Sequence, residues 1–95
     1  MTTSEQTIGI AGAGTIGLGI AELAMLHGDT VLIFDTESAA VKGAAERIRK
    51  ALDRQVDKGS LSAAERDEAM KRFRIVGGLD ELHSCDFVFE AVLED

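Results

Sequence analysis

The fold is decided by residues 7–17, which read TIGIAGAGTIG. Ile8 and Ile10 are β-branched and stand directly before a glycine cluster, so residues 7–11 are predicted to form a short buried strand. A helix is predicted from Thr15 to His27, because apolar residues recur there every three or four positions. The stripe predicted to face the core consists of Ile16, Ile20, Leu23 and Ala24. The glycines therefore occupy the turn between a strand and a helix.

Strands and helices go on alternating after this first pair. The predicted elements are strands at 30–34, 73–76 and 86–92, a long helix at 38–58, a shorter helix at 62–72 and a turn at 79–83. Apolar runs such as TVLIF at 30–34 are typical of parallel strands that are buried on both faces. The order predicts an α/β fold built on a doubly wound parallel sheet, with strand order 3-2-1-4 and a helix pair inserted after the second strand.

The turn after the first strand carries the pattern G-x-G-x-x-G. In this pattern the first glycine permits a tight turn, the second lets a phosphate approach the backbone, and the third lets helix and strand pack closely. The N–H groups at the start of the helix favour a negative group. The candidate phosphate-binding residues are Gly12, Ala13, Gly14, Thr15, Ile16 and Gly17. A strand, this loop and a helix in succession predict a dinucleotide-binding Rossmann domain.

Asp35 is the predicted ribose-binding residue. It closes the second strand 18 residues after Gly17, close to the spacing of about 20 at which an acid binds the ribose hydroxyls in such domains. A carboxylate there would repel the 2′-phosphate of NADP, and residues 36–40 contain no Lys or Arg to receive that phosphate. The predicted cofactor is therefore NAD. The competing interpretation of Asp35 is a helix N-cap or a solvated turn acid.

Composition narrows the class of protein. The chain has 95 residues, of which 45% are apolar and 28% charged, as in one small globular domain. The net charge of −7 argues against nucleic acid and anionic membranes as partners. The single Cys85 cannot form an internal disulfide, and the polar start of the chain lacks a leader-like pattern, so the cytoplasm is expected. His83 has no Cys or acid at metal-ligand spacing, so no metal is expected.

Taken together, residues 7–95 resemble the N-terminal domain of the 3-hydroxyacyl-CoA dehydrogenases. The matching pieces are IGIAGAGTIGLGIAELA, VLIFD, the helix pair and the final EAVLED. The resemblance implies an enzyme that oxidises the 3-hydroxyl group of an acyl-CoA and passes hydride to NAD. It also implies that Ala91 and Glu94 lie near the nicotinamide ribose, and that Lys58 approaches the CoA phosphates.

The same resemblance implies that the catalytic His–Glu pair and a helical dimerisation domain lie beyond the matched region. We therefore assign no catalytic residue within the chain. Residues 1–95 are expected to be the N-terminal part of the NAD-binding domain of a longer, homo-oligomeric protein. We expect this part alone to be inactive. Two alternatives stay open. One is another dehydrogenase, such as the 3-hydroxyisobutyrate type, although the inserted helix pair argues against it. The other is a non-catalytic fragment that binds NAD or only self-associates.

Overall fold

The structure is a computed structural model, described for residues 6–90 apart from the side chains of residues 38–40. Its strands are β1 (Thr7–Ala11), β2 (Thr30–Phe34), β3 (Phe73–Ile75) and β4 (Phe87–Glu90). Its helices are α1 (Thr15–His27), α2 (Ser38–Asp57), α3 (Ala63–Met70) and a 3₁₀ helix at Leu79–Ser84. Each predicted element is found. The predicted end of the last strand, at residue 92, lies outside the described residues.

The four strands form one parallel sheet in the order β3-β2-β1-β4. The predicted α/β fold and strand order are confirmed. In the register of β1 and β2, Ala11 lies opposite Phe34. The residues that follow these two strands, Gly12 and Asp35, therefore emerge side by side at the same edge of the sheet.

Helix α1 is rotated relative to the sequence prediction. Its buried residues are Gly17, Leu18, Ala21 and Met25. Ile16 and Leu23, predicted to face the core, are 63% and 72% exposed, so the prediction is wrong for these two positions. Ile20 and Ala24, the other members of the predicted stripe, are half-buried and pack against the core. The reason for the rotation is steric: a Cβ on Gly17 would overlap the carbonyl oxygen of Gly12, so only a glycine lets the helix lie this close to the end of β1. That contact turns the face containing Gly17 toward the sheet.

The inserted helix pair packs beside α1. Ala44, Ile48 and Leu52 are buried one turn apart along α2 and join the core with α1 and β2. Helix α3 begins with a capping box, in which the Ser62 hydroxyl accepts from the Glu65 N–H at 3.0 Å and the Ser62 N–H donates to Glu65 Oε1 at 2.8 Å. The pair therefore packs against α1, on the side of the core that α1 occupies.

The opposite face of the sheet is covered near β1 by the 3₁₀ helix. A Cβ on Gly9 would lie 2.8 Å from Cys85 Sγ and 3.2 Å from a methyl group of Leu82, so the small residue allows this close approach. Cys85 is half-buried in this contact. Burial raises the pKa of its thiol, and the charge of Asp86 raises that pKa further.

Strand β4 forms an apolar edge. Its neighbour among the described strands is β1. Phe87, Val88 and Phe89 are 53%, 49% and 45% exposed, and alternate residues of a strand point to opposite faces. Both faces of β4 therefore present apolar surface beside an edge that can pair with another strand.

We expect the chain to self-associate through β4. The net charge of −7 opposes association at low salt, so the sedimentation-derived mass should rise as salt is raised from about 0.02 M to about 0.5 M and the charges are screened. Val88→Lys places a charge on the edge and should keep the chain monomeric. The control is Leu79→Lys, which changes a 57% exposed leucine outside the sheet. An unchanged chain that stays monomeric at high salt would contradict the expectation.

Candidate dinucleotide-binding site

The phosphate loop begins where β1 ends. The Gly12 N–H donates to the Phe34 carbonyl oxygen at 2.7 Å, which extends the pairing with β2 by one residue. Gly12 then turns with φ of 126°, in the region that favours glycine. The loop consequently leaves the sheet immediately after its last bond to β2, and its following residues enter α1.

Asp35 ties this loop to the end of β2. Its Oδ2 accepts from the Ala13 N–H at 2.6 Å, and its Oδ1 accepts from the Glu37 N–H at 2.8 Å. A carboxylate has about four acceptor positions, so two are left for hydroxyl groups. The structure thus brings Asp35 to the candidate phosphate loop, as the sequence predicts. The bond from the Glu37 N–H to Asp35 Oδ1 is the one expected of a turn acid, as in the competing interpretation. The two roles are compatible, because the turn bond and the ribose hydroxyls use different lone pairs of the carboxylate.

The start of α1 fits an anionic group. Gly14 is its N-cap, and within the described part of the chain no side chain caps this end and no acid occupies its first turn. The first N–H groups of a helix have no intrahelical partner. Apart from atoms of Gly14 itself and its two chain neighbours, no described atom lies within 4 Å of the place that a Cβ on Gly14 would take. The open space and the available N–H groups suit the pyrophosphate of a dinucleotide.

A groove of about 350 Å³ runs from this site between α1 and α2. Thr15, Gly19 and Glu22 line it from α1, and Arg47, Lys50, Ala51 and Arg54 line it from α2. Arg47 Nη2 donates to Thr15 Oγ1 at 3.4 Å, at the first residue of α1. Sequence reasoning missed Arg47, although spacings of three and four place it on one side of the helix with Lys50, Arg54 and Lys58.

Lys58 lies farther from the phosphate loop. It is the exposed C-cap residue of α2, and the 11 residues that separate it from Arg47 span about 16 Å of helix. It continues the four-residue spacing of Lys50 and Arg54. We call the side of α2 that carries Arg47, Lys50, Arg54 and Lys58 its basic side. Lys58 lies at the far end of this side and is not brought together with Asp35.

The described histidines lie away from the loop. His27 Nδ1 is 3.1 Å from Oδ2 of the buried Asp29, which makes a histidine–acid pair that the sequence analysis did not foresee. This pair stands at the amino end of β2, and the strand separates it from Asp35 by about 20 Å. His83 is exposed in the 3₁₀ helix.

Two predicted site residues, Ala91 and Glu94, lie outside the described residues. Their placement near the nicotinamide ribose stays a prediction. In the part of the chain that is described, none of the helices has the length and apolar character needed to cross a membrane.

Comparisons with known proteins agree with this site. A family model for the "3-hydroxyacyl-CoA dehydrogenase, NAD binding domain" matches residues 7–95. A 3-hydroxybutyryl-CoA dehydrogenase of Mycobacterium tuberculosis is 36% identical over 95 residues, which are 100% of this chain and 33% of the relative. A 3-hydroxyadipyl-CoA dehydrogenase of Escherichia coli is 36% identical over 94 residues, or 99% of this chain and 20% of the relative.

A solved structure shows the same likeness. The crystal structure of an (S)-3-hydroxybutyryl-CoA dehydrogenase from Ralstonia eutropha superposes with a TM-score of 0.89 at 36% identity, and the match covers 97% of this chain and 32% of that one. The chain thus spans a third or less of the length of these relatives.

Two glycine substitutions should separate packing from ligand binding. Gly17→Ala should lower the free energy of unfolding by about 1–3 kcal/mol, because its methyl group would overlap backbone that cannot easily move. Gly14→Ala should lower that free energy by no more than about 1 kcal/mol, the cost of Ala at an N-cap, since its methyl group enters open space. It should weaken NAD binding about tenfold by filling the pyrophosphate position. Denaturant unfolding and calorimetry measure the two effects. Equal destabilisation by both variants would contradict the assignment.

The charge of Asp35 should select NAD over NADP. We expect a preference of about tenfold or more, because the carboxylate repels the 2′-phosphate. Asp35→Asn removes the charge but keeps one carbonyl acceptor for the loop, so the preference should shrink while the chain stays folded. Calorimetric titration of both nucleotides measures it. Glu37→Gln is the control, since it removes an exposed neighbouring charge, and an equal change in that variant would show that Asp35 is not the selecting group.

Proposed function

The chain belongs to the family of 3-hydroxyacyl-CoA dehydrogenase NAD-binding domains, and on that premise we propose that the whole protein oxidises (S)-3-hydroxyacyl-CoA to 3-ketoacyl-CoA. In this reaction the carbon that bears the hydroxyl gives a hydride to NAD, and the hydroxyl gives a proton to a base. The curated relatives are named for 3-hydroxybutyryl-CoA and 3-hydroxyadipyl-CoA. The chain spans a third or less of their length, so no base is assigned within it.

The residues of this chain hold the cofactor. When bound, NAD supplies the acceptor for the hydride. The N–H groups at the start of α1 receive its pyrophosphate, and Asp35 receives the hydroxyls of its adenosine ribose. Gly14 keeps open the space above the helix. We propose that Ala91 and Glu94 lie beside the nicotinamide ribose, on the ground of the family resemblance.

The observation that supports an acyl-CoA substrate is the basic side of α2. Lys50, Arg54 and Lys58 recur every four residues, and among the ion pairs found within residues 6–90 none involves these three side chains. Like charges at this spacing repel one another and destabilise a helix. A polyanion along α2 relieves this repulsion, and coenzyme A carries three phosphate groups. The groove beside Lys50 and Arg54 leads to the cofactor end of α1.

Two wider expectations belong to the proposal. A homo-oligomer of the whole protein is proposed on the ground of the family resemblance, which implies a helical dimerisation domain beyond this chain. The cytoplasm is supported by the single Cys85, because proteins of oxidising compartments are commonly stabilised by paired cysteines.

Coenzyme A should bind to the basic side of α2. We expect the double variant Lys50→Gln, Arg54→Gln to lose about tenfold or more of the affinity for coenzyme A, because two charge-assisted contacts to phosphate are removed. Lys58→Gln should lose less, since Lys58 is exposed at the end of the helix. Calorimetric or NMR titration of the 95-residue chain measures these affinities.

Arg49→Gln is the matched control, because Arg49 is an exposed arginine of the same helix that does not line the groove. Pantetheine, which lacks the phosphates, should bind all variants alike. Affinity for coenzyme A that is unchanged in the double variant, or reduced equally by Arg49→Gln, would overturn the assignment of the CoA subsite.

A further inference from the structure

Arg47 stands apart from the other basic residues of α2. Of the three basic residues that line the groove, Arg47 is the one for which the structure shows a hydrogen bond to α1. Its Nη2 donates to Thr15 Oγ1 at 3.4 Å. Thr15 is the first residue of α1 and directly follows Gly14, the N-cap. The guanidinium of Arg47 is therefore held beside the helix end at which the pyrophosphate of NAD is received.

Arg47 places a positive charge beside the positive end of the α1 dipole. The positive end of the α1 dipole already favours an anion, and a cation beside it is unfavourable unless an anion lies between them. The ion pairs found within residues 6–90 do not include Arg47. Its bond to Thr15 uses one of five guanidinium N–H donors, so the group can hold Thr15 and a phosphate oxygen at the same time.

We propose that Arg47 is a further cofactor-binding residue, which contacts the pyrophosphate of NAD from the α2 side. The backbone N–H groups of α1 and the guanidinium then bind the same anion from two elements. This inference concerns the NAD site of the family and does not depend on the identity of the acyl-CoA substrate. It separates Arg47 from Lys50 and Arg54, which serve the substrate groove.

The test compares ligands that differ in the pyrophosphate. ADP-ribose contains the pyrophosphate and adenosine lacks it. Arg47→Gln should weaken ADP-ribose and NAD about five-fold, the effect of one partly exposed charge-assisted contact, and should leave adenosine within about two-fold. The loss should diminish at high salt, where exposed charges are screened. Calorimetry of the 95-residue chain measures the affinities, and thermal unfolding verifies that each variant is folded.

Arg49→Gln is the control for net charge, since it removes the same charge from the same helix. An ADP-ribose affinity that is equal in Arg47→Gln and the unchanged chain would overturn the inference. So would an equal loss in Arg49→Gln, which indicates a general charge effect, or an equal loss for adenosine, which indicates a disturbed loop.

Two further outcomes separate this inference from the proposed function. If Arg47→Gln weakens coenzyme A and leaves ADP-ribose unchanged, Arg47 belongs to the substrate groove, and the inference fails while the proposed function stands. If the unchanged chain binds coenzyme A but not ADP-ribose, the inference fails together with the assignment of the pyrophosphate to α1.

Discussion

The contact between Gly17 and the carbonyl oxygen of Gly12 determines where α1 lies on the sheet. A Cβ at residue 17 would overlap that oxygen, so the absence of a side chain lets the helix approach the end of β1. With this point fixed, Leu18, Ala21 and Met25 are directed into the core. The N-cap at Gly14 then opens toward solvent at the cofactor edge. Both the anion site and the groove beside α2 therefore depend on the close contact between Gly17 and Gly12.

A second set of bonds fixes the loop against β2. Gly12 is bound through its N–H to the Phe34 carbonyl oxygen at 2.7 Å, and Ala13 is bound through its N–H to Asp35 Oδ2 at 2.6 Å. The residue that receives the ribose thus also orders the residues that receive the phosphates. A loop already held in its binding geometry gives up less conformational entropy when the ligand arrives. Asp35 therefore contributes to affinity through the loop as well as through its own hydroxyl contacts.

The parts of the molecule that depend on local sequence could be predicted from it. The order of elements, the capping box at Ser62 and Glu65, and the position of Asp35 follow from spacings of a few residues. The rotation of α1 could not be predicted this way. Ile16 and Leu23 are as apolar as Leu18 and Met25, and a contact between two glycines decides which pair is buried. Arg47 was missed for the same reason, because its bond to Thr15 spans 32 residues of chain.

The overall charge of the chain says little about its ligand. A net charge of −7 would repel a phosphate-rich molecule from a distance, but charges beyond about 8–10 Å are screened at physiological salt. Within that range the ligand meets uncapped N–H groups at Gly14 and a basic side of α2 that begins at Arg47. The acids of α2, Glu46, Asp53 and Asp57, stand three or four residues from Lys50 or Arg54, and one of them, Asp53, is paired with Arg66 at 3.0 Å. Because Arg47, Lys50 and Arg54 line the same groove, an acidic chain can present a cationic path that leads to its cofactor loop.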